Sequence, residues 1–146
     1  MTRPLAVCLA AISGALFGAC ADSAPPPADA VSFENVELRP PLGGRDVAAV
    51  YMDIRSPASD RRLLGASSPE AEVIEIHETT RDADGVASMR RLDSLLLPAG
   101  DTVVLQQGGL HLMVFGLTAS EAADGIDLTL ALDDGTSRTL TVLPEG

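Results

Sequence analysis

From Val31 onward, apolar and polar residues alternate in short runs separated by turn-forming residues. In Val47–Ile54, the side chains of Val50, Met52 and Ile54 fall on one face and those of Ala49, Tyr51 and Asp53 on the other. Val73–His77 repeats this, with Ile74 and Ile76 set against Val73, Glu75 and His77. The same reasoning predicts strands over Thr102–Gln106, Leu110–Leu117, Ile126–Leu132 and Thr136–Leu143. Breakers stand between them: Ser56-Pro57, Asp84-Gly85, Pro98-Ala99-Gly100-Asp101, Gly108-Gly109, Asp124-Gly125 and Asp133-Asp134-Gly135. Asp134-Gly135 predicts a tight hairpin with both central residues at positive φ. Ser120–Ala123 leaves room for one helical turn at most. Short strands at this spacing predict an all-β fold: a single antiparallel domain, a β-sandwich or barrel.

Ahead of that domain the pattern changes. Arg3 precedes an apolar run, Leu5–Phe17, that is too short for an ordinary membrane-spanning helix. The run ends Leu16-Phe17-Gly18-Ala19-Cys20, which resembles a bacterial lipoprotein signal. Residues 1–19 are expected to be a signal peptide and Cys20 the lipidated residue; the alternative is ordinary cleavage close to Ala19 or Ala21. Residues 20–30, with three consecutive prolines at Pro25–Pro27, read as an extended linker, and 31–146 as the folded domain. Either form of processing sends the domain out of the cytoplasm. The expected location is the periplasm, on a membrane anchor through Cys20. Both cysteines, Cys8 and Cys20, precede the domain. A disulfide framework, a thiolate nucleophile and a Cys-ligated zinc site are therefore excluded from it.

The formal net charge is −11. Such a chain lacks the basic footprint of a phosphate-binding surface, so nucleic acid is not an expected partner. Neither a Ser/His/Asp nor a Cys/His constellation can be assembled, so the expectation is a non-enzyme.

The remaining chemistry lies in two scarce residue types. The chain has two histidines, His77 and His111, and apart from the initiator three methionines, Met52, Met89 and Met113. His111 and Met113 are two apart on a predicted strand, so their side chains leave the same face. Gly108-Gly109 just before them allows a turn without crowding that face. His77 closes its predicted strand on the side away from Ile74 and Ile76, and Met89 follows the Asp84-Gly85 turn on a loop able to swing toward it. Thioether sulfur is soft and imidazole borderline, so a His/Met set suits Cu(I) and disfavours Ca, Mg and Zn. Residue by residue, blander readings stand beside this one. A methionine on a strand is usually core filler, which is the reading applied to Met52, and a lone histidine is usually a hydrogen-bonded surface group.

The spacing is more specific than the residue types. His77-Glu78, ten residues, Met89, twenty-one residues and His111-Leu112-Met113 resemble the signature of the periplasmic copper chaperones called PCu(A)C. The surrounding segments LPAGDTVVLQQGGLHLMVFGL, AVYMDIRS and LLGASSPEAEVIEIHE are also similar to family blocks, and the likeness runs from about Asp46 to Val142. The resemblance implies a cupredoxin-like, Greek-key β-sandwich with Cu(I) bound by His77, Met89, His111 and Met113. It further implies a monomeric chaperone that hands copper to the copper-accepting subunit of a respiratory cytochrome oxidase. Two features depart from the family: Glu78 stands where many members have methionine, and the chain lacks a His/Met-rich tail. The rival expectations are a periplasmic copper-buffering or tolerance protein, and a lipid-anchored β-sandwich binding module without metal.

Overall fold

In a computed structural model the described residues are 30–145. The expected signal peptide, the Cys20 anchor and the linker up to residue 29 lie outside them. The architecture is ten strands and one short helix in the order β1 (Ser32–Arg39), β2 (Val47–Arg55), β3 (Arg61–Ser67), β4 (Val73–Arg81), β5 (Ala87–Leu92), β6 (Leu95–Leu97), β7 (Thr102–Leu105), β8 (Leu110–Phe115), α1 (Ala119–Ala123), β9 (Ile126–Leu132) and β10 (Ser137–Val142). Among the described residues no helix is long and apolar enough to cross a membrane.

The strands follow the path β1-β2-β7-β8-β4-β3-β9-β10, with β5 added to β4 and β6 to β3. The two ends of the path meet. Leu38 in β1 donates its N–H to Leu143 O (3.2 Å) and accepts from Glu145 N–H (2.9 Å) on the segment that follows β10. The sheet thereby curls into a barrel-like sandwich and pairs backbone groups that an open edge would leave unpaired.

Alternation decides which side chains fill it. Val50, Met52 and Ile54 from β2, Leu112 and Val114 from β8, and Leu128 and Leu130 from β9 are almost wholly buried. Met52 is thus core, as its place between Val50 and Ile54 predicts. With no tryptophan and few aromatics in the chain, the interior is packed from branched aliphatic groups.

Three local features depart from the expectations. His77 does not close its strand, because β4 continues through Thr79 and Thr80 to Arg81 and turns back as a hairpin into β5. The β9–β10 connection uses Asp133, Asp134 and Gly135, and only Gly135 has positive φ (79°), since the Leu132–Thr136 pair closes the loop one position earlier. β1 and β3, which the alternation does not reveal, are interrupted by irregularities: a register shift at Asn35 (φ 50°) between Glu34 and Glu37, and another between Leu63 and Gly65. Helix α1 is one short turn or so, as expected. It is capped by Thr118 and Glu121, each side chain bonding the other residue's backbone N–H.

β7 and β8 lie end to end along the unbroken β2. β7 pairs with Met52–Arg55 and β8 with Val47–Val50. Between them Gln106–Gly109 loops outward and returns, with Gln106 N–H donating to Leu110 O at 2.7 Å and Gly109 N–H to Gln106 O at 3.0 Å. The histidine of the H-x-M motif comes directly after this excursion.

Candidate metal centre

The outer face of the β2–β8–β4–β5 portion carries the candidate residues. β4 and β8 run antiparallel with His77 directly opposite His111 and Glu75 opposite Met113. Directly opposed residues share a face, so the two imidazoles meet on the side away from Ile76 and Leu112. Their ring centroids are 5.9 Å apart and tilted by 57°. On the other edge of β4, the hairpin sets Arg91 opposite His77 and Met89 opposite Thr79. Asp82 fixes that register by accepting the N–H groups of Asp84 (3.0 Å) and Val86 (2.8 Å) in the turn. All four residues therefore share one face, the histidines as a central pair and the methionines diagonally to either side. They stand on three strands, β4, β5 and β8, so that Met89, expected on a loop, is a strand residue.

Burial is graded across the set. His111 is 6% exposed, Met113 is partly buried, and Met89 is 52% exposed. The methionines and His111 floor an open groove of about 820 Å³. Tyr51, from β2, approaches His111 with a ring separation of 6.4 Å, and Phe115 approaches His77 at 6.3 Å.

Hydrogen bonding sets the protons on both rings. The Nδ1–H of His111 donates to the carbonyl of Gly109 (3.1 Å), which also accepts Thr79 N–H (3.0 Å). A carbonyl only accepts, so the free lone pair of His111 is on Nε2. His77 is held the opposite way, its Nε2–H donating to the Glu75 carboxylate at 2.8 Å. Arg91 Nη1 lies 3.3 Å from the other oxygen of that carboxylate. In the neutral ring, the form that can bind a metal, the lone pair of His77 is then on Nδ1, and this atom is buried with no hydrogen-bond partner among the described residues. An unpartnered buried acceptor costs about 1–3 kcal/mol, which favours a purpose for it. The one comparable atom, Arg61 Nε, faces Asp134 Oδ2 at 3.6 Å and needs no such account.

The donor set fits a soft monovalent ion. Two neutral imidazoles, each oriented through its other nitrogen, stand beside two thioethers, and the Glu75 charge is matched by Arg91. Among the described residues no group of three or more His, Cys, Asp or Glu side chains is arranged to hold a metal. That arrangement would have suited zinc or a hard cation. Glu78, the departure from the family pattern, lies on the opposite face and pairs with Arg90 (2.7 Å), so it has no part in this set. Glu75 and the Gly109 carbonyl, which the sequence reading missed, have weak signals: an acidic residue two before a histidine, and a glycine two before another.

A family model described as "Putative lipoprotein LpqE-like" matches residues 31–143. The chain belongs to the LpqE-like family. It is 31% identical over 118 residues to "Putative lipoprotein Lxx21020" of Leifsonia xyli subsp. xyli, covering 79% of this chain and 69% of that one. Among solved structures, the LpqE-like chain superposes on the copper-bound PCuAC domain from PmoF2 with a TM-score of 0.64 and 23% identity, over 80% of this chain and 92% of that domain. The solution structure of CuI-DR1885 from Deinococcus radiodurans matches with a TM-score of 0.59 and 26% identity, over 86% and 83% of the two chains. The relation to PCu(A)C proteins read from the motif spacing is thus shown, and with it the cupredoxin-like all-β fold.

Proposed function

We propose that this protein is a copper chaperone that carries Cu(I) between His77, Met89, His111 and Met113. The observation that carries the reading is His77, its Nδ1 buried and unpartnered among the described residues, standing directly opposite a second oriented imidazole, with a methionine on each side. Four neutral ligands leave a bound Cu(I) with one net positive charge, and a thioether binds without losing a proton as a thiol must. The copper-bound PCuAC domain and CuI-DR1885 among the structural neighbours support copper as the cargo.

The graded burial suggests how the ion is handed on. Met89, half exposed on the outer strand, is the ligand that an incoming donor displaces first, and the buried His111 and half-buried His77 release last. Exchange of ligands one at a time avoids free ion. Transfer toward a thiolate-containing acceptor is favoured, because soft thiolates bind Cu(I) more tightly than thioethers. The acceptor in this reading is the copper-accepting subunit of a respiratory oxidase. The protein works in the periplasm, as a monomer anchored through a lipid on Cys20, and the lipoprotein descriptions of its family and relative support that location.

The test is competition for Cu(I) against a chromogenic chelator under reducing conditions. The wild type should retain one equivalent, and the double substitution Met89→Leu with Met113→Leu, close in volume, should lose it without unfolding. Unchanged affinity in the double variant refutes the ligand assignment.

A further inference from the structure

The groove above the candidate ligands has an unusual charge for this molecule. The chain carries 21 acidic residues against ten basic ones. Yet the groove is lined by Arg39, Arg45 and Arg81 and by no aspartate or glutamate. A smaller hollow near α1 shows the opposite bias, with Glu70, Glu121, Asp124 and Asp127 in its wall. Arg39 is matched by Glu145 at 2.6 Å and lies 5.8 Å above the Tyr51 ring. Arg45 and Arg81 make no ion pair among the described residues, and both are exposed. Arg81 is braced by donating one Nη1–H to the Gly85 carbonyl (2.8 Å), which leaves its other N–H groups without a protein acceptor among the described residues. Apolar groups complete the rim: Leu42 is 74% exposed and Met89 52% exposed.

We propose that this groove docks an acidic, extended segment of the protein that exchanges copper with this one. The proposal rests on the copper reading of the groove floor. Guanidinium groups match carboxylates in geometry as well as charge, so two unpaired arginines suit Asp or Glu side chains. At about 820 Å³ the groove is larger than a simple anion needs, and its exposed Leu42 and Met89 offer apolar contact beside the charges, which favours a peptide segment over a free ion. The rest of the chain is acidic on balance, although Arg55, Arg62 and Arg138 also lack ion pairs among the described residues. The groove sets clustered arginines beside His111, Met113 and Met89, so an acidic segment drawn to it is brought to the ligand face.

The experiment is a titration of the isotope-labelled protein, followed by amide chemical shifts, with a synthetic peptide of alternating Glu and Ser. The same peptide with Lys in place of Glu is the comparison. The Glu peptide is expected to shift Arg45, Tyr51, Thr79, Arg81 and Gln107, with an affinity that falls as salt rises, and the Lys peptide to leave them unmoved. The double variant Arg45→Gln with Arg81→Gln should bind the Glu peptide about tenfold more weakly, while its Cu(I) affinity and unfolding midpoint match the wild type. Equal binding of both peptides, or unchanged binding by the variant, overturns the docking surface. Failure of the wild type to retain Cu(I), read separately by chelator competition, overturns the copper reading on which it rests.

Discussion

Replacing Glu75 by alanine should weaken Cu(I) binding although Glu75 is not among the proposed ligands. In the structure its carboxylate accepts the Nε2–H of His77 at 2.8 Å, and the side chains are only 12% (His77) and 23% (Glu75) exposed. A hydrogen bond to a charged group in such a place is worth about 1.5–3 kcal/mol, and about 1.4 kcal/mol is a factor of ten in affinity. Without that anchor the ring is free to carry its proton on Nδ1 or to rotate, and the lone pair aimed at the ion is lost for part of the population. The expected loss is about 10- to 100-fold in Cu(I) affinity, the range found for partners that orient metal-bound histidines. Glu75→Gln should recover part of it, since an amide oxygen still accepts the Nε2–H. Arg91→Gln should cost little, because it leaves that hydrogen bond in place. Affinity is read by chelator competition, and the ring tautomer by imidazole nitrogen chemical shifts in the copper-free protein. An alanine variant within about twofold of the wild type would mean that the carboxylate does not orient the ring.

Two further predictions concern the scaffold. Gly125, at φ 84° between α1 and β9, would place an added Cβ 2.7 Å from the backbone oxygen of Val142. Gly125→Ala should therefore lower stability by about 2 kcal/mol or more, seen as a lower urea midpoint at unchanged slope. The Glu121 carboxyl is held below the ordinary glutamate range, chiefly by the Thr118 hydroxyl and then by the Thr118 backbone N–H. The sign follows from linkage: this contribution is present above the ordinary glutamate value and lost as pH falls through the lowered folded one. Thr118→Val should flatten the acid limb of a stability-against-pH curve, and an unchanged limb would count against the assignment.

How far the fold shows in the sequence depends on how each strand meets the core. β2 and β9 alternate cleanly because one face of each is buried and the other is not, and their burial repeats every second residue. β5 gave no apolar period because almost all of it is exposed on both faces as an outer hairpin arm, so Met89 looked like a loop residue. In β1 and β3 the irregularities at Asn35 and Leu63–Gly65 shift the phase of the alternation midway, which hides a strand from any test of strict period two. The candidate site was legible where it depends on that period, as with His111 and Met113. The facing of His77 and His111 depends on the register between β4 and β8, which no local pattern encodes. The arginine rim was invisible for a similar reason: Arg39 and Arg45 lie at the β1–β2 connection and Arg81 ends β4, and only the pairing of β2 and β4 on either side of β8 brings them to one groove.

β1 has a further consequence if the protein is held by its N-terminus, as proposed. The strand starts at Ser32, next to the proposed tether, and ends at Arg39, on the rim of the groove. Across β2, Arg39 pairs with Ala49, which pairs with Met113, so the far end of β1 is level with the ligand face. Because of the irregularity at Asn35, β1 spans six residue steps of β2, Arg55 to Ala49, and at about 3.3 Å per residue acts as a strut of roughly 20 Å. With the proposed lipid on Cys20, the strut separates the proposed copper-binding end of the domain from the point where the tether enters it. That separation gives a soluble carrier, or a membrane complex with a tall extramembrane domain, room to meet the groove away from the tether.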